Sequence, residues 1–249
     1  MNCFFRKILR PYIKTSGYRA ICEIGASEGA NTEKLATLKG VHITVVDPCL
    51  DKDLVKHYGH LNNIAVINKL SLEILPGIGK CFDCILIDGD HNWYTVFNEL
   101  LTIHEKGLIR KGGTIFLHDV LWPYARRDMY YAPETIPQEF RQAYAKKGID
   151  RFATELLNEG GMNPLLFNAM KCGGPRNGVL TAVEDFLKKY ENEYEFLMYK
   201  AEYGLGCLIR KGSLKQRVVS WIYRLKILFY ETGLAVKTFL RSIRKGLRG

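Results

Sequence analysis

Residues 82–91 read FDCILIDGDH, and this stretch decides the fold class. An apolar run that ends in two carboxylates and an imidazole is typical of a strand buried on both faces, with polar groups at its carboxyl end. Outward from it, the sequence predicts strands at RAICEIG, VHITVVD, NIAVIN and TIFLHDV, and helices at ANTEKLATLKG and NWYTVFNELLTIHEKGLI. Strands separated by helical crossovers predict a doubly wound α/β domain with a parallel sheet.

The alternation stops between residues 121 and 178, a segment rich in Pro, Gly, Arg and aromatic residues with no clear strand. So long a segment inside a compact domain predicts an insertion that serves as a substrate lid. VLTAVEDFLKKY then predicts a helix, and YEFLMYK and LGCLIRKG predict two strands with a tight connection. The complete prediction is a Rossmann-like, seven-stranded, mostly parallel sheet with a C-terminal antiparallel hairpin. Its divisions are an N-terminal helix or arm (1–17), the main domain (18–210) and a helical tail (211–249).

The composition is that of an ordinary soluble protein, because 47% of the 249 residues are hydrophobic and 25% are charged. It argues against disordered, collagen-like and disulfide-scaffold proteins. The seven cysteines are an odd number spread along the chain, which favours reduced thiols and a cytoplasmic location. The N-terminus does not resemble a secretory signal, and no window offers the ~18 apolar residues that a membrane-spanning helix needs.

The net charge of +10 is concentrated in the tail. Residues 211–249 carry +9 and residues 1–210 carry +1. Apolar residues recur in the tail at helical spacing and alternate with Lys and Arg, which predicts a basic amphipathic helix. Residues 213–248 are therefore expected to bind an anionic membrane surface, with a dimerisation helix and a homo-oligomer as the open alternative. The thick apolar stripe argues against nucleic acid as a partner.

A glycine-containing loop, EIGASEGANT at residues 23–32, follows the first predicted strand. Gly25 and Gly29 allow a sharp turn and a close approach to a ligand. A dinucleotide fingerprint requires a middle glycine where this chain has Ser27, so the loop favours a nucleoside ligand without a pyrophosphate. Asp47 ends the second strand, where an acid can accept hydrogen bonds from ribose hydroxyls; taken alone, a turn-forming Asp before Pro48 explains it as well.

Two further polar groups follow neighbouring strands. Asp88, Asp90 and His91 end one strand, and His118 and Asp119 end the next. Since parallel neighbours lie about 4.8 Å apart, Asp88 and the His118–Asp119 pair are expected to converge on one divalent cation. For each residue alone a structural role is the commoner explanation, for example Asp90 as the cap of the following helix.

Taken together, EIGASEG, Asp47, FDCILIDGDH, the KGG turn at 111–113, TIFLHDV and the terminal hairpin resemble a class I S-adenosylmethionine (SAM)-dependent methyltransferase. Within that superfamily the chain is similar to the branch of macrocin-type O-methyltransferases and cephalosporin-hydroxylase-like proteins. The resemblance spans roughly residues 18–210. Residue by residue, it implies that the cofactor is contacted by Glu23, Gly25, Ala26, Ser27, Gly29, Asp47, Ser71 and Asp88.

The same resemblance implies metal ligands at Asp88, His118 and Asp119, with Asp90 or His91 as the catalytic base. Metal-dependent relatives commonly have two acids where this chain has His118 and Asp119. Histidine binds Mg²⁺ less well than it binds softer divalent ions such as Mn²⁺. The expected cofactors are therefore SAM and a divalent cation, Mg²⁺ or Mn²⁺.

The insertion places aromatic and arginine side chains beside the predicted site: Trp122, Tyr124, Arg126, Arg127, Tyr130 and Tyr131. Aromatic rings can stack on sugars and arginines can bind phosphates or carboxylates, so a glycan or nucleotide-linked acceptor is expected, with oligomer packing of the loop as an equal alternative. The predicted function is O-methylation of a saccharide or other small-molecule hydroxyl, assisted by a divalent metal. The alternative is a peripheral membrane protein of the same fold with hydroxylase-type activity or no catalysis.

Overall fold

The computed structural model describes residues 1–212 and residue 222. Its centre is a sheet of seven strands in the order β3-β2-β1-β4-β5-β10-β9. The strands are β1 (Ala20–Ile24), β2 (His42–Val46), β3 (Ile64–Ile67), β4 (Phe82–Ile87), β5 (Ile109–His118), β9 (Tyr194–Tyr199) and β10 (Leu205–Arg210). The first five pair in parallel, and β10 pairs antiparallel with both β5 and β9. The prediction of a seven-stranded, mostly parallel sheet closed by an antiparallel hairpin is confirmed.

Helices cover both faces of the sheet. They are α1 (Arg10–Ser16), α2 (Ala30–Ala36), α3 (Lys52–Gly59), α4 (Ser71–Ile74), α5 (Trp93–Glu105) and α6 (Val179–Tyr190). Alternate residues of each strand face opposite layers, so Ile21 packs with the α1–α3 layer and Cys22 with the α4–α6 layer. This burial on both faces explains why the strands read as nearly continuous apolar runs.

The N-terminal arm is helical from Asn2 to Ser16 but changes its winding twice. Asn2–Phe4 form a 3-10 turn and Phe5–Leu9 a π-helix before α1 begins at Arg10. Phe4, Phe5 and Leu9 are buried in the core cluster of the α1–α3 layer. Their burial anchors the arm on that face of the sheet, close to the carboxyl ends of the strands.

The expectation that residues 121–178 contain no clear strand is wrong. The insertion holds a second, antiparallel sheet in the order β6-β8-β7, made of β6 (Met129–Tyr130), β7 (Tyr144–Lys146) and β8 (Phe167–Ala169). Strands of two or three residues are too short to show a period-2 pattern, so nothing in the sequence marked them.

Tertiary contacts hold the insertion against the main sheet, and the buried carboxylate of Asp128 is central to them. Asp128 accepts hydrogen bonds from the backbone nitrogens of Trp93 (2.7 Å) and Gly178 (2.6 Å), and from the Tyr130 hydroxyl (2.8 Å). These contacts join the insertion to the first turns of α5 and α6.

The predicted amphipathic tail, with its membrane and oligomer interfaces, lies outside the described residues apart from residues 211, 212 and 222. Its membrane binding stays a prediction. Within the described part of the chain, no helix has both the length and the hydropathy required to cross a bilayer.

Gly25 provides a test of how closely the ends of β1 and β4 approach each other. Gly25 and Gly17 both have a positive φ, of 81° and 72°. A Cβ on Gly25 would lie 2.4 Å from the Gly89 Cα, whereas a Cβ on Gly17 would meet nothing within 4 Å. We expect Gly17→Ala to lower the free energy of unfolding by about 1–2 kcal/mol through backbone strain alone. Gly25→Ala should cost about 1–3 kcal/mol more, because backbone must also move. Urea unfolding of both variants checks this, and equal losses would contradict the close approach.

Candidate active site

A cavity of about 380 Å³ opens at the carboxyl ends of β1, β4 and β5. Ten of the residues singled out from the sequence line it: Glu23, Gly25, Ala26, Ser27, Asp88, His91, His118, Asp119, Tyr124 and Tyr131. The glycine loop forms one end and the insertion forms the other. Carboxyl ends of parallel strands are where ligands bind in open α/β sheets, so this cavity is the candidate active site.

Asp88, His118 and Asp119 converge at the middle of the cavity, where each offers a ligand atom within 4.8 Å of the others. His118 Nδ1 lies 3.1 Å from Asp88 Oδ1 and 2.8 Å from Asp119 Oδ2. Burial lowers the pKa of His118, but the two carboxylates outweigh it and raise the pKa to about 11. The pKa of Asp119 is held well below its usual range by His118 and His91, against the effect of burial. The group therefore consists of paired charges.

His91 extends this network toward the insertion. Its Nε2 lies 2.9 Å from Asp119 Oδ2, so Asp119 is shared by two imidazoles. Burial lowers the pKa of His91, and the contact with Asp119 raises it by more. Met129 of the insertion donates its backbone N–H to the His91 carbonyl (3.1 Å), which fixes the His91 backbone. Asp119 itself has a left-handed φ of 58°, an uncommon conformation for a non-glycine residue that recurs at functional sites.

At the glycine-loop end, Glu23 lines the cavity and is almost fully buried. Its carboxylate accepts hydrogen bonds from Asn31 Nδ2 (2.7 Å) and Thr32 Oγ1 (2.6 Å). Burial raises the pKa of Glu23 to about 7, with the two hydrogen bonds opposing it. Gly29 is held from behind by Tyr58, whose hydroxyl donates to the Gly29 carbonyl (3.3 Å). Both glycines of the loop thus have close neighbours that leave little room for a side chain.

Four of the predicted cofactor and catalytic residues fall outside the set of described residues that line the cavity: Gly29, Asp47, Ser71 and Asp90. Asp47 accepts hydrogen bonds from the backbone nitrogens of Ala26 (2.7 Å), Ser27 (2.9 Å) and Cys49 (2.8 Å). Its carboxylate therefore shapes the glycine loop in this structure, and ribose binding by Asp47 stays a prediction.

Asp90 is held by the helix that follows it. Its Oδ2 accepts a hydrogen bond from Thr95 Oγ1 at 2.9 Å. The side chain that caps α5 is Asn92, whose Oδ1 accepts from the Thr95 backbone nitrogen at 2.8 Å. The suggestion that Asp90 caps this helix is therefore corrected: Asn92 is the cap, and Asp90 supports it through Thr95.

Two of the six predicted substrate residues, Tyr124 and Tyr131, line the cavity. The Arg126 guanidinium forms a bidentate ion pair with Glu184 of α6 (2.5 and 2.6 Å). The Arg127 guanidinium is buried and donates to the carbonyls of Thr154 and Ala169. Tyr130 donates to Asp128, and Trp122 lies beside the Arg151 guanidinium. These four side chains hold the insertion together, and their contact with a substrate stays a prediction.

Sequence reasoning missed several cavity residues: Met1, Asn2, Met162, Asn163 and Tyr203. Asn163 Nδ2 donates to the Tyr124 hydroxyl at 2.6 Å. Nothing in the sequence marks Met162 or Asn163. Tyr203 could have been found, because the turn of a hairpin paired antiparallel to β5 must lie at the carboxyl edge of the sheet.

The donor set at the centre suits a divalent cation. Two carboxylates and one imidazole are ligands that Mn²⁺ and similar ions accept, with Mg²⁺ less suited to the imidazole. His118 Nε2 is buried and has no hydrogen-bond partner among the described residues. A buried polar atom without a partner is costly, which is consistent with a ring that takes part in ligand binding.

Ser71 donates its hydroxyl to the buried carboxyl of Glu99 on α5 (2.5 Å). Burial raises the pKa of Glu99 from 4.5 to about 8, partly offset by this hydrogen bond. Because the folded chain holds the proton more tightly than the unfolded chain, the free energy of unfolding falls as pH rises between about 4.5 and 8.

We therefore expect Glu99→Gln, which keeps the acceptor for Ser71, to remove this fall of up to ~1.4 kcal/mol per pH unit. Urea unfolding at several pH values within the window measures it. The control is Glu105→Gln, an exposed acid on the same helix, which should follow the wild-type pH dependence. Parallel pH profiles for wild type and Glu99→Gln would contradict the expectation.

Comparison with known proteins agrees with this geometry. Residues 22–120 match the family model described as "Methyltransferase domain". No sequence among the curated proteins matches the chain. Among solved structures, the chain is similar to an SAH-bound methyltransferase from Podospora anserina, with 15% identity over 80% of this chain and 74% of that one and a TM-score of 0.50. It is also similar to an O-methyltransferase from Bacillus cereus in complex with SAH, with 18% identity, coverage of 82% and 79%, and a TM-score of 0.49.

The matched segment runs from β1 to the residue after Asp119, so it includes the glycine loop and the whole carboxylate–imidazole network. At such low identity, the structural likeness bears on the fold alone. Residues 22–120 thus match a methyltransferase domain, and the fold of the chain is similar to that of the Podospora anserina methyltransferase.

Proposed function

We propose that the protein is an O-methyltransferase that moves the methyl group of SAM to a hydroxyl of a saccharide or related small molecule, with a divalent cation bound at the site. The observation that carries this proposal is the position of the Asp88–His118–Asp119 cluster. It lies in one cavity between a glycine-loop end suited to a nucleoside and an aromatic end suited to an acceptor.

The glycine-loop end has the features needed for the cofactor. SAM supplies an activated methyl group on a cationic sulfonium. Gly25, Ala26 and Ser27 present backbone at the cavity wall, and Asp88 places a carboxylate beside it. Carboxylates in a partly buried site attract a cationic ligand more strongly than they would in water. To bind the ribose hydroxyls, Asp47 would give up hydrogen bonds from the backbone nitrogens of Ala26 and Ser27 and accept hydrogen bonds from the hydroxyls instead.

The cluster at the centre would hold the cation through Asp88, His118 and Asp119. Such an ion, when bound, lowers the pKa of a coordinated hydroxyl and helps to orient it. In the described arrangement His118 Nδ1 bridges the two carboxylates, so the imidazole carries the positive charge that they require. Binding of a cation by the two carboxylates would therefore involve reorientation or deprotonation of this ring.

His91 is the side chain best placed to take the acceptor's proton. It lines the cavity, and Asp119 orients its ring through Nε2. His91 would act as the base in its neutral form, after the Nε2 proton has passed to solvent and Nε2 faces the acceptor hydroxyl instead of Asp119. Asp90, the other candidate base, is bonded to Thr95 and lies outside the cavity wall as described, so His91 is preferred.

The acceptor end is walled by the rings of Tyr124, Tyr131 and Tyr203. The Tyr124 oxygen already accepts a hydrogen bond from Asn163, so its own proton is available to donate to an acceptor oxygen. Apolar ring faces combined with such donors and acceptors suit a ligand with a carbon ring and several hydroxyls. This supports a saccharide-type acceptor.

Calorimetric titration of the full chain with SAM, in Mg²⁺, in Mn²⁺ and in EDTA, tests the cofactor assignment. We expect micromolar binding, followed by methyl transfer in a screen that begins with nucleotide sugars and glycolipids. Absence of SAM binding in every buffer would remove the proposed function. Binding without transfer to any hydroxyl acceptor would argue against the acceptor class.

The cation site is tested by Mn²⁺ binding to Asp119→Asn. Loss of one charged ligand should weaken binding by at least about tenfold, since even substitution of the partners of a metal ligand commonly costs 10–100-fold. The control is Asp83→Asn, at the opposite end of β4, where the carboxylate pairs with Arg110. Equal Mn²⁺ affinity in wild type and Asp119→Asn would rule out this cluster as the site.

A further inference from the structure

The first residues of the chain lie inside the candidate active site. Met1 and Asn2 line the cavity together with Glu23, Ser27 and Asp88. Met1 is only 5% exposed, and its backbone nitrogen lies 2.6 Å from Asp88 Oδ2. The segment therefore contacts one of the carboxylates that the proposed function assigns to cofactor and cation.

Several contacts of this segment are directed at the site, although Met1 and Phe4 also belong to the core cluster of the α1–α3 layer. The Phe4 ring is buried and meets the His118 ring edge-on, with centroids 5.9 Å apart. Lys34 donates its Nζ to Asn2 Oδ1, and Phe4 donates its backbone nitrogen to the Met1 carbonyl (3.1 Å). Met1 and Phe4 thus touch Asp88 and His118, which are two of the three proposed cation ligands.

The observed cavity is small for the reaction. Sites for one drug-sized ligand have volumes of roughly 300–1,000 Å³, and the cavity here has about 380 Å³. Methyl transfer requires the cofactor and the acceptor to be present together and in line. The volume is at the lower end of the range for one ligand, and the wall residues outside the main sheet include those of the N-terminal segment and of the insertion.

The backbone next to this segment is irregular. The 3-10 turn Asn2–Phe4 passes directly into the π-helix Phe5–Leu9, and a regular α-helix begins only at Arg10. Changes of helical winding are common at functional sites and hinges. Phe5 and Leu9 stay anchored in the core, so the change of winding at Phe4–Phe5 lies between a fixed helix and the residues in the cavity.

We propose that residues Met1–Phe4 form a strap that occupies part of the cofactor cavity and is displaced when SAM binds. The strap competes with the cofactor for Asp88, so the observed affinity for SAM equals the intrinsic affinity multiplied by the fraction of chains with the strap out. This proposal rests on the proposed function, because it takes the cavity to be the cofactor site.

Hydrogen–deuterium exchange of the wild-type full chain, with and without saturating SAH, tests the displacement directly. We expect faster exchange of backbone amides in residues 2–5 when SAH is bound, because their contacts with the cavity are lost. Slower or unchanged exchange in this segment would overturn the proposal: slower exchange would mean that the segment closes over the cofactor as a lid.

A pair of matched variants tests the competition. Phe4→Ala removes the ring that meets His118, while Phe5→Ala removes an equally buried ring of the same core cluster. We expect Phe4→Ala to bind SAH about 2–10-fold more tightly, the range that corresponds to one lost aromatic contact, and Phe5→Ala to keep wild-type affinity.

Weaker or unchanged SAH binding by Phe4→Ala would overturn the strap. If either variant fails to fold, the exchange experiment on the wild-type chain still decides. Absence of SAH binding by the wild type and by both variants would instead refute the cofactor assignment, and the strap with it.

Discussion

Parallel pairing of β1, β4 and β5 is the constraint on which the rest of this structure depends. β4 lies between the other two, with Ile24 in register with Ile87 on one side and Ile87 in register with Leu117 on the other. The next residue of each strand therefore emerges at the same edge of the sheet. Gly25, Asp88 and the His118–Asp119 pair meet there because their strands end together, although they are far apart in sequence.

The convergence of these strand ends buries several carboxylates, and a charge removed from water is costly unless it is paired or neutralised. The structure avoids this cost in different ways. Asp88 and Asp119 are paired with imidazoles, Asp47 is surrounded by backbone N–H groups, and burial raises the pKa values of Glu23 and Glu99 toward the neutral form. Charge is thus retained at Asp88 and Asp119 and suppressed at Glu23 and Glu99.

The insertion completes the cavity, and the buried carboxylate of Asp128 is central to its attachment. Asp128 receives donors from the first turns of α5 and α6 and from its own short sheet, and burial raises its pKa to about 6. The next residue, Met129, holds the His91 backbone. The acceptor end and the proposed base are therefore positioned by the same contacts, so a change in the insertion alters both.

The main sheet could be predicted from the residue pattern, because apolar strand runs separated by helical patterns are compatible with few other folds. The glycine loop and the convergence of Asp88, His118 and Asp119 could be predicted as well, since strand ends at one edge follow from parallel topology. Only the tertiary structure decided which aromatic and arginine residues face the cavity. Tyr130, Arg126 and Arg127 are residue types that often bind ligands. In the structure Tyr130 donates to Asp128, and Arg126 pairs with Glu184. Arg127 donates to backbone carbonyls. The second sheet, the placement of Met1 and the contribution of Asn163 likewise arise from contacts between distant segments, which leave no periodic signal in the chain.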